Sequence, residues 1–189
     1  MTQSLETLRY QTAPELFAAL PEMAEDIDAR PERDEPVLSF ALGLLDSNTP
    51  EEAITCAAQM FSRRVAVWWG HECLRHVAER LDARDLGMME RVAAWVAQPD
   101  EDLSAEILDT AMAIEPRTPG VWLGLATGWA GGSVAPAGSA PVPPPRFLTG
   151  RGVNAAILTA LARMPQASRK SLLRDFLSMA RDLAAPDPA

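Results

Sequence analysis

Prolines set beside helix-starting residues cut this chain into short apolar-periodic segments, which restricts it to a packing of short helices. The clearest start is Ser47-Asn48-Thr49-Pro50-Glu51-Glu52. Thr49 can cap a helix, Pro50 suits the first helical position because no partner awaits an N–H there, and the two carboxylates complement the positive end of the dipole. That helix is expected to reach about 62 and can continue into the segment 64–82. Pro14 opens a helix to 20, and the polar stretch 21–36 has room for another turn or two before a short buried helix at 37–45. Pro99 ends a helix over 84–98; Asp100, Glu101 and Asp102 open one over 100–115 that Pro116 stops; Pro119 opens one over 119–130. Two more are expected at 152–164 and 166–184, ahead of a frayed tail at 185–189.

Apolar residues return every three to four positions and β-branched runs are nearly absent, so the fold class is all-α. At 189 residues and 48% hydrophobic content the chain can bury one sizeable core. The expectation is a single compact domain over 1–189 with about seven to nine helices. The segment 119–130 is apolar all round and belongs at the centre, followed by a loop rich in Gly, Ala, Ser and Pro at 131–149.

Charge and composition exclude several functions. The net charge is −9, and a net acidic surface disfavours nucleic acid. The bases cluster late: residues 146–189 hold seven against three acids, while residues 1–35 hold nine acids against three bases. These regions can pair within one chain or between copies, but exposed ion pairs contribute only about 0–1 kcal/mol each, so a monomer or weak dimer is expected. The longest uncharged stretch, 118–145, is broken by Gly and Pro, so no membrane insertion is expected. Cys56 and Cys73 sit in helical apolar patterns, and the first residues lack the apolar run of a signal peptide; both readings point to the cytoplasm.

The segment Val67-Trp68-Trp69-Gly70-His71-Glu72-Cys73 carries the main candidate site. On a helical wheel Trp68 falls outside the apolar arc, beside Glu72 and Arg75, so it is either covered by the protein's own loop or offered to a partner. No metal or other cofactor is indicated, because His71 and His76 stand about 140° out of alignment on a helix and Cys73 with His76 supplies only two ligands. No nucleophile elbow accompanies the histidines, so no catalytic residue is assigned. The run Pro141-Val142-Pro143-Pro144-Pro145-Arg146 favours an extended polyproline conformation whose Pro141, Pro144 and Arg146 can dock in an aromatic groove, or else pack on the protein's own Trp129 or Trp68. Trp68, Trp95 and Trp122 are each 27 residues apart, which reads either as stacked helical hairpins or as similar core-helix starts.

The pieces Ala66-Val67-Trp68-Trp69-Gly70-His71-Glu72-Cys73, Pro119-Gly120-Val121-Trp122-Leu123, Trp129-Ala130-Gly131-Gly132-Ser133 and Val142-Pro143-Pro144-Pro145 with Gly152-Val153-Asn154-Ala155-Ala156 occur in one order. In them the chain resembles a small uncharacterised bacterial family, a domain of unknown function. The resemblance implies a single compact helical domain and carries no functional residues with it. The residues themselves point to a non-enzymatic adaptor that binds an unknown protein partner through Trp68, Glu72, Arg75 and the 141–146 run. The alternative is an enzyme or small-ligand binder with a pocket beneath the 131–150 loop, formed by His71, Glu72 and Arg151 near Trp68.

Overall fold

Helix starts in this protein use several devices, and these explain most of the element boundaries. The structure, a computed structural model, describes residues 7–136 and 138–185. These residues form ten α-helices: α1 (Ala13–Ala19), α2 (Met23–Asp26), α3 (Val37–Gly43), α4 (Glu52–Met60), α5 (Arg63–His76), α6 (Ala83–Ala97), α7 (Glu101–Met112), α8 (Pro119–Ala130), α9 (Leu148–Ala162) and α10 (Gln166–Ala184). The tenth arises because the acidic connection holds the single turn α2 and because the tryptophan segment is separate from α4. No strand occurs among the described residues, only isolated bridges from Leu8 to Phe61 and from Thr12 to Pro36.

Thr12 and Glu15 close a reciprocal capping box on α1, a signature that reading Pro14 as the opener had missed. Asp82 and Asp100 cap α6 and α7 through their side chains, accepting from Asp85 N and Leu103 N at 2.8 Å. Thr49 does not cap α4 as expected; the first turn closes on backbone bonds three residues apart, Glu52 N donating to Thr49 O at 3.0 Å. α4 stops at Phe61 because the N-terminal segment competes for its backbone: Arg9 N donates to Met60 O at 2.7 Å and Ser62 N to Thr7 O at 3.1 Å. α9 begins at Leu148, before the expected 152, where Gln59 Nε2 donates to Phe147 O at 2.9 Å. Of the tail expected to fray, Ala185 N donates to Arg181 O and the remainder lies outside the described residues.

α8 is the centre, wrapped by α5, α6, α7 and α9, with α4 beside α5 and α9 and with α3 and α10 against α4. Nine of its 12 residues are buried. The approach of its neighbours depends on glycines four apart. A Cβ at Gly120 would lie 2.7 Å from the Asp85 backbone, at Gly124 2.7 Å from Met88 Sδ, and at Gly128 2.5 Å from Leu108 Cβ. On the opposite side Gly70 of α5 admits Val153 and Leu123 by the same means.

The start of α8 is capped from another helix. Thr118 Oγ1 donates to Asp85 Oδ1, which also accepts from Gly120 N at 2.8 Å, while Asp85 Oδ2 receives Arg163 Nη1 at 3.0 Å. Asp85 is 0% exposed, so this carboxylate survives burial only because donors from α8 and from the end of α9 surround it. Arg163 and Arg151, which reaches Asp26 at 2.9 Å, show bases of the C-terminal third paired within the chain. No helix among the described residues is long and apolar enough to cross a membrane.

The evenly spaced tryptophans do not occupy equivalent places. Trp68 lies on α5, Trp95 is buried on α6, and Trp122 lies on α8 with α7 intervening. The related strings Arg64-Val65-Ala66 and Arg91-Val92-Ala93 do share one device, since each arginine reaches the following helix: Arg64 to Val96 O at 2.8 Å and Arg91 to Thr110 Oγ1 at 2.8 Å.

Candidate functional site

Trp68 and Trp69 are about 100° apart on α5, and the packing treats them oppositely. Trp69 is 0% exposed, and its indole N–H donates to Phe176 O of α10 at 3.0 Å. Trp68 is half-buried and faces α6. α5 and α6 run antiparallel, and Arg64 at the start of α5 donates to Val96 O and to Ala97 O at 3.2 Å, satisfying carbonyls at the end of α6. Between them lies a groove of about 450 Å³ lined by Arg64, Val65, Trp68, Ala93, Val96 and Ala97. The small Ala93 and Ala97 leave the space, Val65 and Trp68 wall it, and Arg64 turns its polar end to the carbonyls. The lining is therefore almost wholly apolar.

A polar chain along α5 holds Trp68 in place. Its ring stacks on His71 with centroids 5.2 Å apart and planes 9° apart. His71 Nδ1 is 3.0 Å from Glu72 Oε1, and Arg75 Nε donates to Glu72 Oε2 at 3.0 Å. Burial opposes the charge on Glu72, but hydrogen bonds from Arg75 and His71, together with nearby charge, outweigh it and hold the carboxyl below its ordinary range. An ionised carboxylate only accepts, so Nδ1 of His71 carries the hydrogen in this contact. Of the candidate residues, Trp68, His71, Glu72 and Arg75 thus form one constellation.

The other candidates lie elsewhere. Pro141 and Arg146 are exposed, whereas Pro144 is buried and its carbonyl accepts from Arg63 Nη2 at 3.4 Å. Arg9 Nη1 donates to Arg146 O at 3.3 Å, so the end of the proline run is tied to the N-terminal segment and the start of α5. A cavity of about 330 Å³ does lie beneath the 131–141 segment, but its walls are the first turns of α7, with Glu101, Asp102 and Ser104, and the end of α8. Arg151 lines a different depression with Trp122 and Trp129, while His71 and Glu72 are engaged with each other on α5.

The two cysteines, Cys56 of α4 and Cys73 of α5, and His76 of α5 lie apart from this constellation. Cys73 is fully buried, and burial followed by the field of Glu72 pushes its thiol well up; Cys56 is pushed up to about 12 by burial and then by Glu35. Both are poor nucleophiles. His76 points to Asp175 at 3.8 Å and meets the edge of Phe176. Sequence reasoning missed the α6 half of the groove, Ala93, Val96 and Ala97, which nothing in the local pattern distinguishes from ordinary helix positions. It also missed Asp85, whose only signal is its place three residues after the capping Asp82.

Residues 40–184 match the family of unknown function DUF6931. No curated protein and no solved structure matches the chain at a significant level.

Proposed function

We propose that this chain, which belongs to the DUF6931 family of unknown function, is a non-enzymatic accessory protein of the bacterial cytoplasm that binds another protein through the groove between α5 and α6. The observation that carries this reading is the apolar groove beside a half-buried tryptophan whose ring is stacked on His71. Two antiparallel helices with alanines between them leave a channel suited to the apolar side chains of an amphipathic helix from the partner. Trp68 is the anchor, pre-oriented by His71 and Glu72 so that little side-chain entropy is lost on binding. Arg75 is two-thirds exposed and supplies a charged rim. The chain itself is a monomer or a weak dimer.

The test compares immobilised wild-type protein with Trp68→Ala and with Ala93→Arg, which fills the groove, after circular dichroism has established that both variants fold. A partner retained from the native lysate by the wild type is expected to be lost from both, and a synthetic peptide of its amphipathic helix is expected to broaden or shift the indole signal of Trp68. Folded variants that keep every wild-type partner would remove the groove from consideration. Light scattering showing a dimer that persists on dilution to nanomolar concentration in the wild type and is lost in folded Ala93→Arg would place a second copy there instead.

A further inference from the structure

A second depression, of about 420 Å³, opens on α8 and α9 and is built differently from the groove. Trp122 and Trp129 of α8 both line it. Seven residues apart on a helix, they lie on one face about 10.5 Å apart along the axis, side by side rather than as a sandwich. Gly152 lets the second ring lie down, because a Cβ there would come 3.0 Å from Trp129 Cζ3. The polar wall comes from α9 itself and from α2 and α4. Asp26 of α2 accepts Arg151 through Oδ2 only, at 2.9 Å from Nη2 and 3.2 Å from Nε, which leaves Oδ1 outside that pair. Arg151 is further fixed by lying 4.5 Å from the centroid of the Phe147 ring. Thr55 of α4, itself buried, donates to Asn154 Oδ1 at 3.4 Å and so turns the amide.

Among the described residues no hydrogen-bond partner takes the Asn154 amide hydrogens or the indole N–H of Trp122 or Trp129, whereas the core indole of Trp69 is satisfied by Phe176 O. The depression is therefore lined by two indole side chains, by an amide and indole N–H groups that no protein group accepts from among the described residues, and by a carboxylate, with its one positive and one negative charge already paired. A charged ligand finds no uncompensated opposite charge there. A purely apolar ligand would leave the donors unmet. Pyranose rings, with an apolar C–H face and a hydroxylated edge, satisfy both halves, and the axial offset of the two tryptophan positions, about 10.5 Å, matches the first and third rings of a 1,4-linked chain rather than two successive ones. We infer that this depression is a binding site for a neutral saccharide, stacking one sugar ring on each of Trp122 and Trp129 while Asn154 and Asp26 hydrogen-bond the hydroxyls.

The proposal is independent of the α5–α6 groove, and the experiment separates them. Full-length protein labelled with nitrogen-15 is titrated with glucose, galactose, mannose, N-acetylglucosamine and their 1,4-linked disaccharides and trisaccharides, with a neutral tripeptide as control, and the five indole N–H signals are followed. At least one trisaccharide is expected to shift the signals of Trp122 and Trp129 and not that of Trp68, and to bind about tenfold or more tightly than its monosaccharide. Trp122→Phe is expected to keep the site, Trp122→Ala to abolish the gain of the trisaccharide, Asn154→Ala to weaken binding of both the trisaccharide and the monosaccharide, and Trp68→Ala to leave binding unchanged. Sedimentation with insoluble cellulose, chitin or peptidoglycan distinguishes a polymeric glycan from a free oligosaccharide as the source. If no sugar moves either indole at millimolar concentration, or the tripeptide moves both and the sugars do not, the assignment is overturned.

Discussion

Two carboxylate–arginine pairs, Glu72 with Arg75 and Asp85 with Arg163, have the same chemistry and opposite settings. Glu72 and Arg75 belong to one helix, and the arginine is 67% exposed, so water screens the pair and its net stabilisation is small. Asp85 is 0% exposed and is met by groups from two other elements, Thr118 and Gly120 at the start of α8 and Arg163 at the end of α9. One pair orients a surface aromatic; the other joins three helices and replaces the missing cap of the central one. The difference lies in what each carboxylate keeps when its arginine is removed: Glu72, 18% exposed, retains His71 and some water, whereas Asp85 has no access to water.

That contrast is open to direct attack, most forcefully at Asp85. Replacing it by Ala strands Arg163, the Thr118 hydroxyl and the Gly120 N–H, and is expected to cost about 3–5 kcal/mol in urea unfolding. A loss below about 1 kcal/mol would mean that the buried pair does not hold α8 in place. Next in size is Gly120→Ala, whose new methyl would meet the Asp85 backbone at 2.7 Å. Because backbone must yield rather than the end of a flexible chain, about 1–3 kcal/mol is expected, seen as a lower unfolding midpoint at unchanged slope. Gly43→Ala, with nothing within 4 Å of the new Cβ, serves as the matched control and should lose little or gain slightly.

Glu72→Gln is the smallest effect, about 0.2–1 kcal/mol near neutral pH. Its pH dependence carries the information. The Glu72 carboxyl is held below its ordinary value of 4.5, so its contribution is fully present above that pH and is lost as the pH falls through the lower folded value. The stability difference between wild type and Glu72→Gln should therefore shrink as the solution is acidified below about that point. A gap that stayed constant down to pH 2 would mean that Glu72 acts through packing rather than charge.

Most of the helices were legible in the sequence because caps, proline stops and a 3.6-residue apolar period act within a few residues of one another. Asp100 and Asp82 cap as such residues do, and the all-apolar 119–130 segment is buried as its composition requires. A helix end near 62 was legible, but whether the chain breaks there or runs on was left open, since the break depends on a backbone pairing with Thr7 and Arg9, more than fifty residues earlier in the chain. The candidate site was half legible. Trp68, Glu72 and Arg75 could be read as neighbours from helix spacing, but the groove needs Ala93 and Val96, which α6 brings alongside. Arg151 could not be assigned from the pattern, because Asp26 of α2, the carboxylate that pairs with it, lies 125 residues away and meets it only in the folded chain.

What the amino-acid order determined unaided was an all-helical chain with most helices placed to within a few residues, since those signals are hydrogen bonds and torsions that close locally; the segment expected as one helix over 64–82 ends at His76, and α9 starts four residues early. What only the tertiary structure decided was the fate of side chains the sequence leaves alike: which of two adjacent tryptophans is covered, which of many acids becomes a sealed hub, and which glycines serve as contact surfaces rather than turns. Burial is a sum over neighbours from distant segments, and it sets both the cost of a charge and the availability of a ring. Trp68 and Trp69, adjacent in the chain and opposite in exposure, owe that difference to α6 and α10.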